Sequence, residues 1–124
     1  VARQRTDAEQ QVAELLRTAR ESLRLSTAFL SRLDGKVQHL EVVETSVPVL
    51  FPERARVPQS TSLCQAALDG RLPAVMPDLT RLPEAMRLPS AWVPRIRSFV
   101  TVPVHLSDGT LYGTFCAAGL SSDR

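Results

Sequence analysis

Residues 98–120 read SFVTVPVHLSDGTLYGTFCAAGL, two apolar runs of strand length joined by Ser107-Asp108-Gly109-Thr110. The Asp-Gly pair favours the positive backbone angles of a hairpin turn. Both arms are rich in Val, Thr, Phe and Tyr, which suit a pleated and largely buried surface. Neither arm alternates cleanly between apolar and polar residues, so both read as sheet strands covered on two faces. Pro103 cannot donate to a ladder and requires a bulge or an unpaired position. Gly113, inside the second arm, points to a bulge or a close backbone approach. This hairpin is expected at the centre of the sheet, with the rest of the chain packed onto it.

Working outward, residues 72–78 (LPAVMPD) predict a short edge strand, since Pro73 and Pro77 bracket Ala74-Val75-Met76. Before it, Ser60 or Thr61 is expected to cap a short helix over 62–68 that ends at Asp69-Gly70. Residues 25–34 and 36–45 predict a second hairpin with Gly35 in its turn. Within that hairpin His39 reads as a solvent-facing or hydrogen-bonded strand residue. Ser31 and Arg32 interrupt an apolar strand, so one of them must face away from the core or into a polar cavity. Residues 6–24 predict an amphipathic helix capped by Thr6 or Asp7, with Val12, Leu15, Leu16, Ala19 and Leu23 as its apolar stripe. Two Pro-punctuated stretches, 46–60 and 79–97, are too apolar to hang in water. They read as structured loops over one sheet face, with helical turns near 84–87 and 90–93. The fold class is therefore α+β, a mostly antiparallel sheet of about five strands with a helix on one face and a pocket under the loops on the other.

A length of 124 residues makes one domain, and a formal charge of +2 argues against a nucleic-acid partner. Of the fifteen basic residues only Lys36 is lysine, and the rest form no compact run. No segment is long and apolar enough to span a membrane, so no membrane insertion is expected from this segment. Cys64 and Cys116 lack metal-ligand spacing. They read as two free thiols of a cytoplasmic protein, each packed as a small hydrophobe. The chain starts without Met and stops just past the last strand, which reads as a piece of something longer.

Several motifs resemble the GAF domains. These are Ser62-Leu63-Cys64-Gln65, Asp69-Gly70-Arg71-Leu72-Pro73, Pro77-Asp78, Ile96-Arg97-Ser98 before Val102-Pro103-Val104, and the run from Ser107 to Cys116. The resemblance is specific in the second half of the chain and generic in the first helix. It looks closest to bacterial GAF domains preceding cyclic-di-GMP turnover modules or histidine kinases. It implies a helix over 1–24 that continues into a signalling or dimer helix, a core over 25–120, and a truncated end at 121–124. It also implies a small-molecule ligand, an attached output domain and a homodimer. The pocket would be lined by Cys64, Asp78, Trp92 and Arg95 over a floor including Phe99 and Thr101. Arg95 would pair with a ligand carboxylate or phosphate, and Trp92 would stack on a planar group.

The alternatives for Arg95, Trp92 and Asp78 are a solvated cation, an apolar plug and a turn cap. The Asn-Lys-Phe-Asp-Glu signature of cyclic-nucleotide-binding relatives is missing. Gln65 and Ala117 stand where a bilin site would want His after Cys, and no His is placed for haem. The ligand therefore has no name at this stage. An interaction-only module without a ligand is the alternative within binding domains. A thiol-based sulfoxide reductase is the enzyme alternative, although the chain reads as non-catalytic.

Overall fold

A computed structural model of the chain describes residues 5–47, 51–88 and 96–120. Thr6 opens helix α1 (Asp7–Leu23) with a reciprocal cap: its hydroxyl accepts from the Glu9 amide, and the Glu9 carboxylate accepts from the Thr6 amide. Such a cap contributes about 1 kcal/mol. Strands β1 (Thr27–Leu33) and β2 (Val37–Thr45) follow as an antiparallel hairpin. The Asp34 carboxylate closes its turn by accepting the amides of Lys36 (2.8 Å) and Val37 (2.7 Å). His39 Nε2 meets the other Asp34 oxygen at 2.8 Å, so this histidine is the hydrogen-bonded strand residue expected of it.

Strand β3 (Arg56–Pro58), a 3-10 turn, helix α2 (Leu63–Leu68) and strand β4 (Val75–Met76) come next. A second 3-10 turn and helix α3 (Pro83–Met86) lead to strands β5 (Ser98–His105) and β6 (Leu111–Gly119). Among the described residues the sheet has six strands in the order β3-β2-β1-β6-β5-β4, and every pairing is antiparallel. The strand not anticipated is β3, a three-residue edge piece that pairs only with the start of β2. The cap of α2 also moves: Ser62, not Ser60 or Thr61, accepts the Gln65 amide, because residues 59–61 are taken up by the 3-10 turn.

The closing hairpin sits next to the centre, with β6 paired along β1. Pro103 is accommodated without a missing bond. The Thr101 amide donates to Ala74 on the β4 side of β5 at 2.9 Å, so the nitrogen two residues on faces the same side, beyond the end of β4. Gly113 marks a close approach. A Cβ there would collide with the Ser31 carbonyl oxygen and lie 2.9 Å from the Arg32 Cα. Coverage on both faces holds for the base of the hairpin. Towards the tip it fails, since Val102, Leu106 and Leu111 are exposed.

Two cores lie on opposite faces of the sheet. The larger joins Phe29, Leu40, Phe99 and Ala118 from the strands to Phe51, Leu63, Leu72, Leu79, Ala85 and Leu88 from the covering segments. Phe51 lies against Phe29 with ring centroids 6.5 Å apart, which anchors the first loop as its apolar content requires. The smaller core seats α1 on β1 and β2 through Ala13, Leu16, Ala28, Val42 and Ala117. The apolar stripe of α1 is rotated from the expected one. Ala13 and Leu16 are fully buried, whereas Leu15 is 64% exposed and Leu23 46%. A close helix–sheet contact favours the small Ala13, and that choice turns Leu15 outward. No helix among the described residues is long and apolar enough to cross a membrane.

Candidate functional site

Strand alternation puts Phe29 and Ser31 of β1, Phe99 and Thr101 of β5, and Thr114, Cys116 and Ala118 of β6 on the face covered by α2. Gln38 and Leu40 of β2 join them. α2 lies over this face with Leu63, Cys64 and Ala66 buried.

Within this apolar layer six polar or sulfur-bearing side chains are buried together: Ser31, Gln38, Cys64, Thr101, Thr114 and Cys116. They form one connected row. Gln38 Nε2 donates to Ser31 Oγ at 2.9 Å and to Cys64 Sγ at 3.1 Å. Ser31 and Thr114 share a hydroxyl bond of 2.6 Å across the β1–β6 pair. The Cys116 thiol donates to Thr114 Oγ1 at 3.2 Å, and Thr101 Oγ1 lies 3.3 Å from the same sulfur. Cys64 Sγ and Cys116 Sγ are 3.2 Å apart, and both cysteines are free thiols. A buried polar group left unpaired costs about 1–3 kcal/mol, so these groups hold one another in place.

The two thiols are pushed in opposite directions. The contact with the Cys116 sulfur draws the Cys64 thiol down, with help from Thr114, Gln38 and Thr101 and against its burial. Burial pushes the Cys116 thiol up, and the neighbouring sulfur adds to it. Of the two, Cys64 is the thiol that gives up its proton more readily.

Of the residues expected to line a pocket, Cys64, Phe99 and Thr101 come together on this face. Asp78 serves as a turn cap. Its carboxylate accepts the Thr80 amide at 3.0 Å and the Thr80 hydroxyl at 2.6 Å. Those bonds, the hydroxyl first, hold it below the usual carboxylate range, and Arg97 and Arg81 stand 3.9 Å away. Trp92 and Arg95 lie outside the described residues. Sequence reasoning missed Gln38 and Thr114 and favoured packing for Cys116 over a role as a reactive thiol. The available signal was Gln38 two residues before buried Leu40, and Thr114 two before Cys116, on inward-facing strand positions.

A separate open cleft of about 270 Å³ is lined by Arg5, Val43, Glu44, Thr45, Phe51 and Glu53. Its charges are already matched internally, with Arg5 bound to Glu44 at 3.0 Å, to Glu53 at 2.8 Å and to the Val43 carbonyl.

A helix on one face of an antiparallel sheet, with short helices and loops enclosing a polar row on the other, is the architecture of a small sensory and regulatory domain. The chain belongs to the GAF domain family, whose model matches residues 7–124. It is 30% identical over 118 residues to the diguanylate cyclase DgcP of Escherichia coli (strain K12), a match covering 89% of this chain and 33% of that protein. The chain thus spans about a third of that relative's length. Among solved structures it is similar to a protein described as a GAF sensor from Burkholderia vietnamiensis. The TM-score is 0.69 at 21% identity, covering 97% of this chain and 71% of that one. It is also similar to the type II free methionine-R-sulfoxide reductase of Thermoplasma acidophilum, with a TM-score of 0.67 at 16% identity, covering 92% of this chain and 75% of that one. These two likenesses concern the fold.

Proposed function

We propose that the chain is the sensory domain of a larger cytoplasmic signalling protein and binds a small molecule on the α2 face of the sheet. The observation that carries this reading is the buried row of Ser31, Gln38, Thr101 and Thr114, polar groups held in an otherwise apolar layer. The row carries no formal charge apart from the thiol pair. It suits a compact ligand recognised by neutral hydrogen bonds. The similarity to a diguanylate cyclase supports an output domain of cyclic-di-GMP turnover.

The route of the signal follows from strand alternation. Phe29 and Ser31 face the ligand side, while Ala28 between Thr27 and Phe29 faces α1. A ligand that rebonds Ser31 moves β1, and β1 meets Leu16 of α1 in the core that includes Ala28. Such a switch needs unequal affinity for two states of the sheet–helix pair. A homodimer through α1 would transmit it, and the exposed Leu15 and Leu23 support that partner surface.

A thermal-shift screen against a panel of metabolites tests the reading. A compound that raises the melting temperature of the native chain is expected to lose its effect in a variant carrying Ser31→Ala and Thr114→Val. The double variant also takes away the acceptors of Gln38 and Cys116, so its own melting temperature without compound is the baseline against which shifts are read. Shifts unchanged by the double variant would place binding elsewhere. The row is closed by its own side chains, which favours one second reading, a ligand-free interaction module. That reading gains if no compound shifts the native chain.

A further inference from the structure

We propose that Cys64 and Cys116 form a redox-active dithiol, closed by hydroperoxides into an intramolecular disulfide that rewires the polar row. The two cysteines of the chain lie 52 residues apart, one on α2 and one on β6, yet their sulfurs meet at 3.2 Å. A disulfide needs about 2.05 Å between sulfurs, so closure requires a movement on the order of 1 Å. The element that must move is a six-residue helix whose Ser62 cap and Gln65 lie outside the sheet ladder. Gln38 donates to Cys64 Sγ at 3.1 Å, which favours loss of the Cys64 proton beside the Cys116 sulfur.

The reaction balances with the hydroperoxide as oxidant. The Cys64 thiolate attacks the distal oxygen, the O–O bond breaks, and an alcohol leaves after taking up a proton; with hydrogen peroxide, water leaves. Cys64 is then a sulfenic acid. The Cys116 sulfur, giving up its proton, attacks the Cys64 sulfur, and the S–O bond breaks to release water. Two thiols lose two electrons in all and the hydroperoxide gains them. An external dithiol reopens the bridge by exchange.

Closure changes the row. Cys116 no longer has a hydrogen to give Thr114, and Cys64 no longer stands as a thiolate acceptor for Gln38. The oxidised domain thus presents Ser31, Gln38 and Thr114 with altered bonding. Both sulfurs are almost fully buried, so oxidation proceeds through local opening of the α2 cover and is slow with bulky oxidants.

This proposal does not rest on the ligand reading, because the thiols are counted without any ligand. The experiment treats the folded, reduced chain with hydrogen peroxide, denatures it in N-ethylmaleimide, and measures intact mass and peptides. The expected result is loss of both alkylation sites, a mass lower by about 2 Da for the two hydrogens given up, and one Cys64–Cys116 linked peptide pair. The rate should not depend on protein concentration, and dithiothreitol should restore both thiols. In Cys116→Ser, dimedone should trap a sulfenic acid at Cys64. Should that variant not fold, Cys64→Ser serves instead, and its remaining Cys116 should give no dimedone adduct under the same peroxide treatment; an adduct there would overturn the assignment of Cys64 as the attacking thiol. Two thiols still alkylated, sulfinic acid without a linked pair, or a bridge between two chains would each overturn the proposal. Turnover of free methionine sulfoxide, measured in parallel, reads the separate reductase alternative, since the dithiol itself consumes one equivalent of oxidant.

Discussion

Gly113→Ala is expected to prevent stable folding. Gly113 lies on β6 between Arg32 of β1 and Val104 of β5, so it is held from both sides by ladders. A methyl group there would overlap the Ser31 carbonyl oxygen and approach its carbon to 2.8 Å. The obstacle is backbone on a central strand, so no side chain can swing aside. Relief would require β1 and β6 to separate where Ser31 bonds Thr114, taking apart the polar row as well. The expected loss is about 3 kcal/mol or more, at the upper end of overpacking effects. Set against the modest stability of a small domain, that makes an insoluble or unfolded product the expected result. The matched control is Gly109→Ala. Gly109 has φ +89° with open space around it, so only backbone strain opposes the change, at a cost of about 1 kcal/mol. Urea unfolding of the two variants checks the ranking. Equal midpoints would mean that β1 and β6 do not pair in the register described.

Leu16→Ala is expected to cost about 2–5 kcal/mol, the range for emptying a buried leucine site. Leu16 is fully buried between α1 and the strands carrying Ala28, Val42 and Ala117. Three of its core neighbours are alanines, too small to fill a vacated volume by rotating, so the upper half of that range is expected. Leu15→Ala, one residue away on the exposed side, should change stability by less than about 0.5 kcal/mol. Denaturant unfolding separates them, and the reverse ranking would mean that α1 is seated on its other face. The pair also bears on signalling. Loosening α1 through Leu16 should uncouple it from β1, while Leu15→Ala should act only where a second chain covers that face.

These two positions show where the fold was legible in the amino-acid sequence. The hairpin over residues 98–120 was legible because Asp108-Gly109 supplies a positive-φ turn and the flanking runs are β-branched and aromatic. Gly113 and Pro103 announced special backbone positions, and the structure gives each a cause. The face of α1 was not legible, because Val12, Leu15, Leu16, Ala19 and Leu23 make a stripe wide enough for two rotations. The sheet surface decided between them by seating Ala13. β3 was invisible for another reason: three residues containing Pro58 carry no periodicity, and only pairing with Val37–His39 makes them a strand.

The site was legible in part. Cys64, Phe99 and Thr101 follow from the GAF resemblance and do share the α2 face. The remainder of the row depends on contacts across the chain, Ser31 with Thr114 at a separation of 83 residues and Cys64 with Cys116 at 52. A polar residue in a strand announces that it needs a partner, but not which one. Asp78 shows the converse. A carboxylate followed two residues later by Thr80 has a local partner, and that local bond is the one it makes.

The most direct test of the sensory reading is native mass spectrometry of the freshly purified, reduced chain, beside its denatured mass and visible absorbance. The account predicts an additional non-covalent mass, either carried through purification or acquired from a metabolite panel, and lost on denaturation. A protein mass that stays unladen across the whole panel would contradict it and leave the interaction module in its place.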